Sequence, residues 1–477
     1  MSKKTIIVLM VVMALMVSVG LVAAQKQLPG SGWLSGQQIQ NIGTEQATIT
    51  FTAYNTSGGP INCGGPKTAP AGAGVNVSTR DCDVTGPFTG SAVVSSDQPI
   101  AAVVNVANNP TGAAGGMYRG TDGSQVNTVI SFPLVKANFN GRSTTLYLQN
   151  ASANANTITV VFTPRNGSPL QKQYPNVPPN AMVVASPFDT AFPDDQFGSA
   201  VATGTGPLAG TALEHQTTAT VADNLAAYTG FTEAGYDDVV YCPLVRNNHS
   251  GALQTTGIDV QNVSGSAQKI KVTYTYQVNG VPGTKTVESP DPVANNASFN
   301  FYALNAQLGI PTGALGAAKV EGSSGGNVAA IVTDTSLGRQ PRRITAYACF
   351  PASQASTKIA MPQYKEFFNG NTSGINVQNV GTSPATITIV YTATNNNGAS
   401  ATFRNTQTLA PMALFPFYGV SNSPNVTVVS GNRAALEGSY GSAIITSDQP
   451  IVATQNESPD GRRPLQQDAK MYEGFNQ

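Results

Sequence analysis

The two histidines of this 477-residue chain, His215 and His249, stand 34 residues apart. A hydrolytic or proton-transfer site would need one of them beside an acid or a nucleophile. Neither lies in such a motif, and both are read as exposed or turn residues. The stretch "GSSGG", Gly322 to Gly326, formally fits the G-x-S-x-G pattern around Ser324. A serine presented that way needs a strand before it and a helix after it, whereas the "NVAAIV" that follows has the pattern of a strand. The pairs Asp194–Asp195 and Asp237–Asp238 would offer oxygen to calcium. Without the alternating carboxylates and glycine of a calcium loop, they are read as solvated loop acids. Two basic clusters remain, Arg339, Arg342 and Arg343 in "GRQPRR" and Arg462 and Arg463 in "DGRRP". They are candidate contacts with an acidic polymer or a neighbouring subunit. No catalytic residue, cofactor or metal is expected.

The chain opens with Lys3 and Lys4, an apolar run from Ile6 to Val22 and then "VAAQ". That order reads as a secretion signal cleaved after Ala24; an uncleaved anchor is the alternative, since the run is nearly long enough to cross a bilayer. No later segment resembles a membrane span. Removing residues 1–24 takes two lysines from 25 basic residues and nothing from 25 acidic ones, leaving a charge of about −2. Charged residues make up only 10% of the chain, which argues against nucleic acid or an anionic membrane surface as a partner. Cys63, Cys82, Cys242 and Cys349 contain no C-x-x-C pair, so in a secreted chain two disulfides are expected. Pairing Cys63 with Cys82 closes a short loop, stabilising it by roughly 3 kcal/mol; pairing Cys242 with Cys349 closes a long one, for about 5 kcal/mol.

The elements that would position these residues repeat. "IQNIGTEQATITF" from Ile39 returns as "LQNASANANTITV" from Leu148, "VQNVSGSAQKIKV" from Val260 and "VQNVGTSPATITI" from Val377. The Gln-Asn steps are 109, 112 and 117 residues, and an isoleucine follows each Gln by nine (Ile49, Ile158, Ile270, Ile387). About 50 residues on comes a small-residue step, "GSAVV" from Gly90, "GSAVA" from Gly198, "GAAKV" from Gly316 and "GSAII" from Gly441, read in each case as opening a hairpin. A tyrosine motif follows at Tyr118, Tyr228, Tyr347 and Tyr472, and apolar-proline steps at Pro133, Pro243 and Pro362 open the next unit. Apolar side chains alternate with a period of two: Ile387, Ile389 and Tyr391 between Thr386, Thr388 and Thr392. One face is therefore buried and the other wet. The Asn of each Gln-Asn pair is expected to end a strand and bond its own backbone two residues on.

With "VQNVGTSPATITIVYTA" and its tandem copies, the chain resembles the Ig-like β-sandwich repeats of secreted bacterial cell-surface proteins of the adhesin, stalk, surface-layer or sheath type. The resemblance covers essentially all of residues 25–477. It implies an all-β fold of four tandem Ig-like β-sandwich domains after a signal peptide at 1–24, at residues 25–130, 131–239, 240–358 and 359–477. It also implies a secreted, extracellular or surface-associated, non-enzymatic structural or adhesive protein that self-associates or contacts a cell-envelope polymer. A polysaccharide-binding module is the alternative, although Trp33 is the sole tryptophan. Short proline joints between units of this size suggest a rod about 140 Å long.

Overall fold

The computed structural model describes residues 28–84, 88–108, 114–217, 223–339, 342–418, 423–459 and 469–477, and among these every regular element is a strand or a single 3-10 turn. The chain is all-β. Each sheet draws its strands from one sequence repeat: two from residues 33–119, one from 127–229, two from 239–351 and one from 356–476.

The Gln-Asn strands are Trp33–Asn41, Arg142–Asn150, Gln254–Asn262 and Asn371–Asn379. Each ends on a fully buried asparagine. Its Oδ1 accepts the N–H two residues on, at 2.9 Å for Asn41, 2.9 Å for Asn150, 3.0 Å for Asn262 and 2.9 Å for Asn379. Its Nδ2 then donates to the carbonyl four residues on and to another across the core, as from Asn379 to Ser383 at 2.8 Å and Leu409 at 3.1 Å. The amide thus clips three backbone segments together and meets a carbonyl across the core that would otherwise be buried without a hydrogen bond.

The "GSA" steps open no hairpin. In the second and fourth repeats the expected hairpin is one strand of 21 residues, Gln196–Gln216 and Ser439–Pro459. Its first half pairs with the strand after the Gln-Asn turn and its second half with the Gln-Asn strand itself. The chain thereby crosses from one side of the unit to the other. In the first repeat the same crossing is split into Gly90–Ser96 and Ile100–Asn108. Pro99, Pro207 and Pro450 sit at the crossing point, where the ladder changes partner and no N–H is needed, and each proline carbonyl accepts the N–H after the asparagine, at 2.9, 3.0 and 3.0 Å. The glycine that opens the step has a steric cause. A Cβ at Gly90, Gly198, Gly316 or Gly441 would lie 2.0, 2.0, 2.1 or 1.9 Å from a carbonyl oxygen of the adjacent strand.

No rod forms. Four short strands, Gly115–Arg119, Leu225–Thr229, Arg343–Ala348 and Lys470–Glu473, carry the tyrosine motifs, and each packs on the next, with the last touching the first. Met117 enters the core of the fourth repeat, Ala346 that of the second and Met471 that of the third, while Ala227 packs with Val106 and Ala114 of the first. The residue before each tyrosine therefore plugs into the preceding repeat, and one head-to-tail contact used four times closes a ring. Closure is also polar: Asn105 Nδ2 donates to Gln363 Oε1 at 2.7 Å, and the Arg119 guanidinium lies 4.3 Å over the Phe475 ring. Small-angle scattering is expected to give a radius of gyration of roughly 22–25 Å, against about 40 Å for a 140 Å rod.

A candidate strand-acceptor site in the first repeat

Three repeats begin with an opening strand, Asn127–Ala137, Val239–Asn247 and Ser356–Glu366. Each is held in the same way by a side chain far away in sequence. The Tyr228 hydroxyl accepts the Leu134 N–H at 3.4 Å and donates to the Leu134 carbonyl at 2.6 Å. Tyr347 does the same with Leu244, at 3.0 and 2.7 Å, and Tyr472 with Gln363, at 3.2 and 2.7 Å. The residue gripped is in each case the one after the apolar-proline step. Two residues on, a basic residue gives its N–H to a hydroxyl of the Gln-Asn strand: Lys136 to Thr144, Arg246 to Thr256 and Lys365 to Ser373, each at 3.0 Å.

The same basic side chains turn inward to buried acids. Lys136 Nζ is 2.7 Å from Glu214, Arg246 is 2.7 Å from Asp334 and Lys365 is 2.9 Å from Glu457. Burial alone would raise the Glu214 carboxyl, but Lys136 and Arg142 beside it hold it down at about 2. Burial prevails over Arg246 at Asp334 and raises that carboxyl. Asp259, buried and bonded by Asn300 Nδ2 at 2.9 Å, is pushed up to about 7.

Among the described residues, the first repeat has the grips without an opening strand. The secretion signal expected at 1–24 lies outside those residues. Tyr118 and Ser35, the counterparts of the latch tyrosine and the strand hydroxyl, both line a cleft of about 2130 Å³. Gly90–Ser96, whose counterparts are each flanked by an opening strand, pairs among the described residues only with Ala47–Asn55. The Tyr118 hydroxyl lies against Thr211, and burial pushes it up to about 12. Trp33, Val94 and Leu213 give the cleft an apolar wall, and the Trp33 indole N–H is taken by the Pro29 carbonyl at 3.0 Å. Val93, at 37% exposure, stands on the open edge. The repeated tyrosine was visible in the sequence, but its role was not, because its partner is a backbone group about a hundred residues away.

The residues singled out by chemical type do not converge. His215 is buried rather than exposed: it lies on the long crossing strand opposite Ser143, with Nδ1 2.9 Å from the Gln216 carbonyl and Nε2 3.0 Å from Thr145 Oγ1. Burial lowers its pKa and keeps it neutral. His249 sits in the turn between Val239–Asn247 and Gln254–Asn262. Ser324 falls in the 3-10 turn Ser323–Gly325 between two strands. Asp237 accepts the Ser353 N–H at 2.9 Å, and Asp194 and Asp195 face Asn138 and Asn140. No group of three or more potential metal ligands occurs among the described residues. Cys63 is bonded to Cys82 and Cys242 to Cys349. Arg339 and Arg342 are exposed and Arg343 is half-buried at the start of its hub strand; Arg462 and Arg463 lie outside the described residues.

No family model matches the chain, and no curated protein matches it. Among solved structures, a Thermotoga maritima protein is 14% identical over 23% of this chain and 96% of its own, with a TM-score of 0.20. A glycoside hydrolase family 32 protein from Bifidobacterium adolescentis is 9% identical over 90% and 98%, at 0.15. The major pilin of Streptococcus pyogenes is 7% identical over 73% and 99%, at 0.13.

Proposed function

We propose that the chain is a secreted, non-enzymatic cell-surface structural or adhesive protein of four Ig-like β-sandwich repeats, and that it self-associates. The observation that carries this reading is the use made of the recurrent polar residues. The four asparagines and three latch tyrosines are consumed in bonds that hold backbone to backbone, so what the repeat preserves is architecture. A closed ring of such units is a rigid tile, suited to a lattice or to the display of its rim. The edge strand Val426–Ser430 offers a means of association: it carries no charge, and Val428 and Val429 are 40% and 56% exposed. Uncharged open edges pair readily with other edges.

Sedimentation of the secreted protein at rising concentration is expected to show oligomers, and Val429→Lys is expected to remove them by placing a charge on the edge. A wild-type protein that stays monomeric at millimolar concentration would reject self-association. Tyr302 and Tyr418, exposed by 37% and 55% at equivalent strand ends, are the residues through which a polysaccharide-binding role would operate. Glycan-array binding abolished by Tyr418→Ala would favour that role instead.

A further inference from the structure

We propose that the joint between the second and third repeats is a proton-operated latch, which the Asp259 side chain closes as a neutral acid and loosens as a carboxylate. At this joint the outward face of one sheet of the third repeat lies on the second repeat. Ala329, Ile331 and Ala346 of the third repeat share a buried cluster with Phe132, Ala200 and Tyr228 of the second. Polar bonds cross the joint as well. Ser298 Oγ donates to the Pro133 carbonyl at 2.6 Å, Ser199 Oγ to the Asn296 carbonyl at 2.6 Å and Gln261 Nε2 to the Ala200 carbonyl at 3.4 Å. Asp259 lies on this same face, two residues before Gln261, paired with Asn300 on one side and Ile331 on the other, and it is 1% exposed.

An acid at this position is peculiar to the third repeat. The other Gln-Asn strands place Gln38, Tyr147 and Asn376 there, and none of these carries a charge. The groups that act on Asp259 come from both sides of the joint. The second repeat supplies Lys136 on its opening strand, Glu214 on its crossing strand, Tyr228 on its hub strand and Arg165 just after Asn156–Pro164. The sheet of Asp259 itself supplies Asn300, whose Nδ2 donates at 2.9 Å. Both cations are engaged elsewhere: Lys136 Nζ is 2.7 Å from Glu214, and the Arg165 guanidinium lies 5.3 Å over the Phe197 ring and 5.8 Å over the Phe299 ring. A carboxylate at this joint is therefore bonded to a neutral amide, which does not offset the cost of taking a charge out of water. Burial accordingly pushes the carboxyl up to about 7 against the pull of Asn300, Lys136 and Arg165.

The direction follows from linkage. Once the joint loosens, Asp259 meets water and titrates near its ordinary value of about 3.9. The closed joint holds the proton more tightly, so closure weakens as the pH rises from about 4 to about 7, by about a thousandfold in the closing equilibrium. Below about pH 4 the acid is neutral in both states and the latch is fully shut. Above about pH 7 it is charged in both, and no further loss follows.

The test places a thiol in the joint of the full chain by Ala329→Cys, at a side chain that is fully buried there. The native cysteines are paired in disulfides, so a pyridyl disulfide reagent, which reacts from acid to alkaline pH, reports the introduced thiol. Its labelling rate is compared with that of the same chain carrying Asp259→Asn, which fixes the neutral form and keeps an acceptor for Asn300. Ionisation of the thiol itself cancels in the ratio. The two rates are expected to agree near pH 4, with the Asp259 chain faster by up to about a thousandfold near pH 8. A ratio that does not change with pH, or a faster Asp259→Asn chain near pH 8, would overturn the proposal. The chain without the introduced thiol gives a second reading. In denaturant, Asp259→Asn is expected to match the wild type near pH 4 and to unfold at a higher midpoint near pH 8. An Asp259→Asn chain no more stable than the wild type near pH 8 would overturn the latch too.

Discussion

Asn379→Ala is expected to cost about 2–4 kcal/mol in denaturant unfolding, because it leaves the fully buried Leu409 carbonyl unmet, at roughly 1–3 kcal/mol, and breaks two further bonds that are only partly buried, each worth roughly 0.5–1.5 kcal/mol. The groups are the Gly381 N–H and the carbonyls of Ser383 and Leu409. Asn262→Ala should cost a similar amount, since it removes the equivalent bonds to Ser264, Ser266 and Val293. Asn425→Ala, in an exposed loop, should cost almost nothing. Asn379→Asp separates the parts of the clip: it keeps the acceptor and loses both donors, and it sets a charge against two carbonyls. A loss below about 1 kcal/mol for Asn379→Ala would mean that solvent replaces the clip.

Arg246→Met should be as damaging at neutral pH and much less so in acid. It leaves Asp334 buried without the guanidinium 2.7 Å away, and breaking such a pair costs about 3–5 kcal/mol. Asp334 is already raised by burial in the wild type, and losing Arg246 raises it further. The sign follows from linkage. A carboxyl whose folded pKa lies above its unfolded value binds the proton more tightly in the folded state, so stability falls as pH rises between the two. Below the unfolded value, about 3.9, the acid is neutral in both states and that cost vanishes. The deficit of Arg246→Met should accordingly widen from about pH 4 upward. A deficit that stays constant with pH would assign the loss to packing of the arginine stem and not to the stranded charge.

Glu214 should show the opposite slope. Its folded pKa, about 2, lies below the ordinary carboxylate range. The stability it contributes is present above the unfolded value and is lost as the pH falls towards 2.

The sequence by itself carried the local rules. The Gln-Asn register, the isoleucine nine residues on and the period-two alternation specify strands, their wet and dry faces and the turn that the asparagine makes with its own backbone. These are contacts within a few residues, so the spacing encodes them directly. The glycine of each "GSA" step and the tyrosine near each repeat's end were equally visible as recurrences. Their causes were not, since one is a carbonyl 2 Å from an absent Cβ and the other a strand about a hundred residues away. Position 215 was misread because a histidine between a glutamate and a glutamine looks wet in sequence, whereas the fold pairs that strand with the Gln-Asn strand in one sheet and buries the histidine. The ring belongs wholly to tertiary structure. A period of about 110 residues fixes what each unit is but not the direction in which the next one leans. That direction is set where Met117, Ala227, Ala346 and Met471 plug into the repeat before, and only side-chain packing across the joints turns four units in a row into a closed ring.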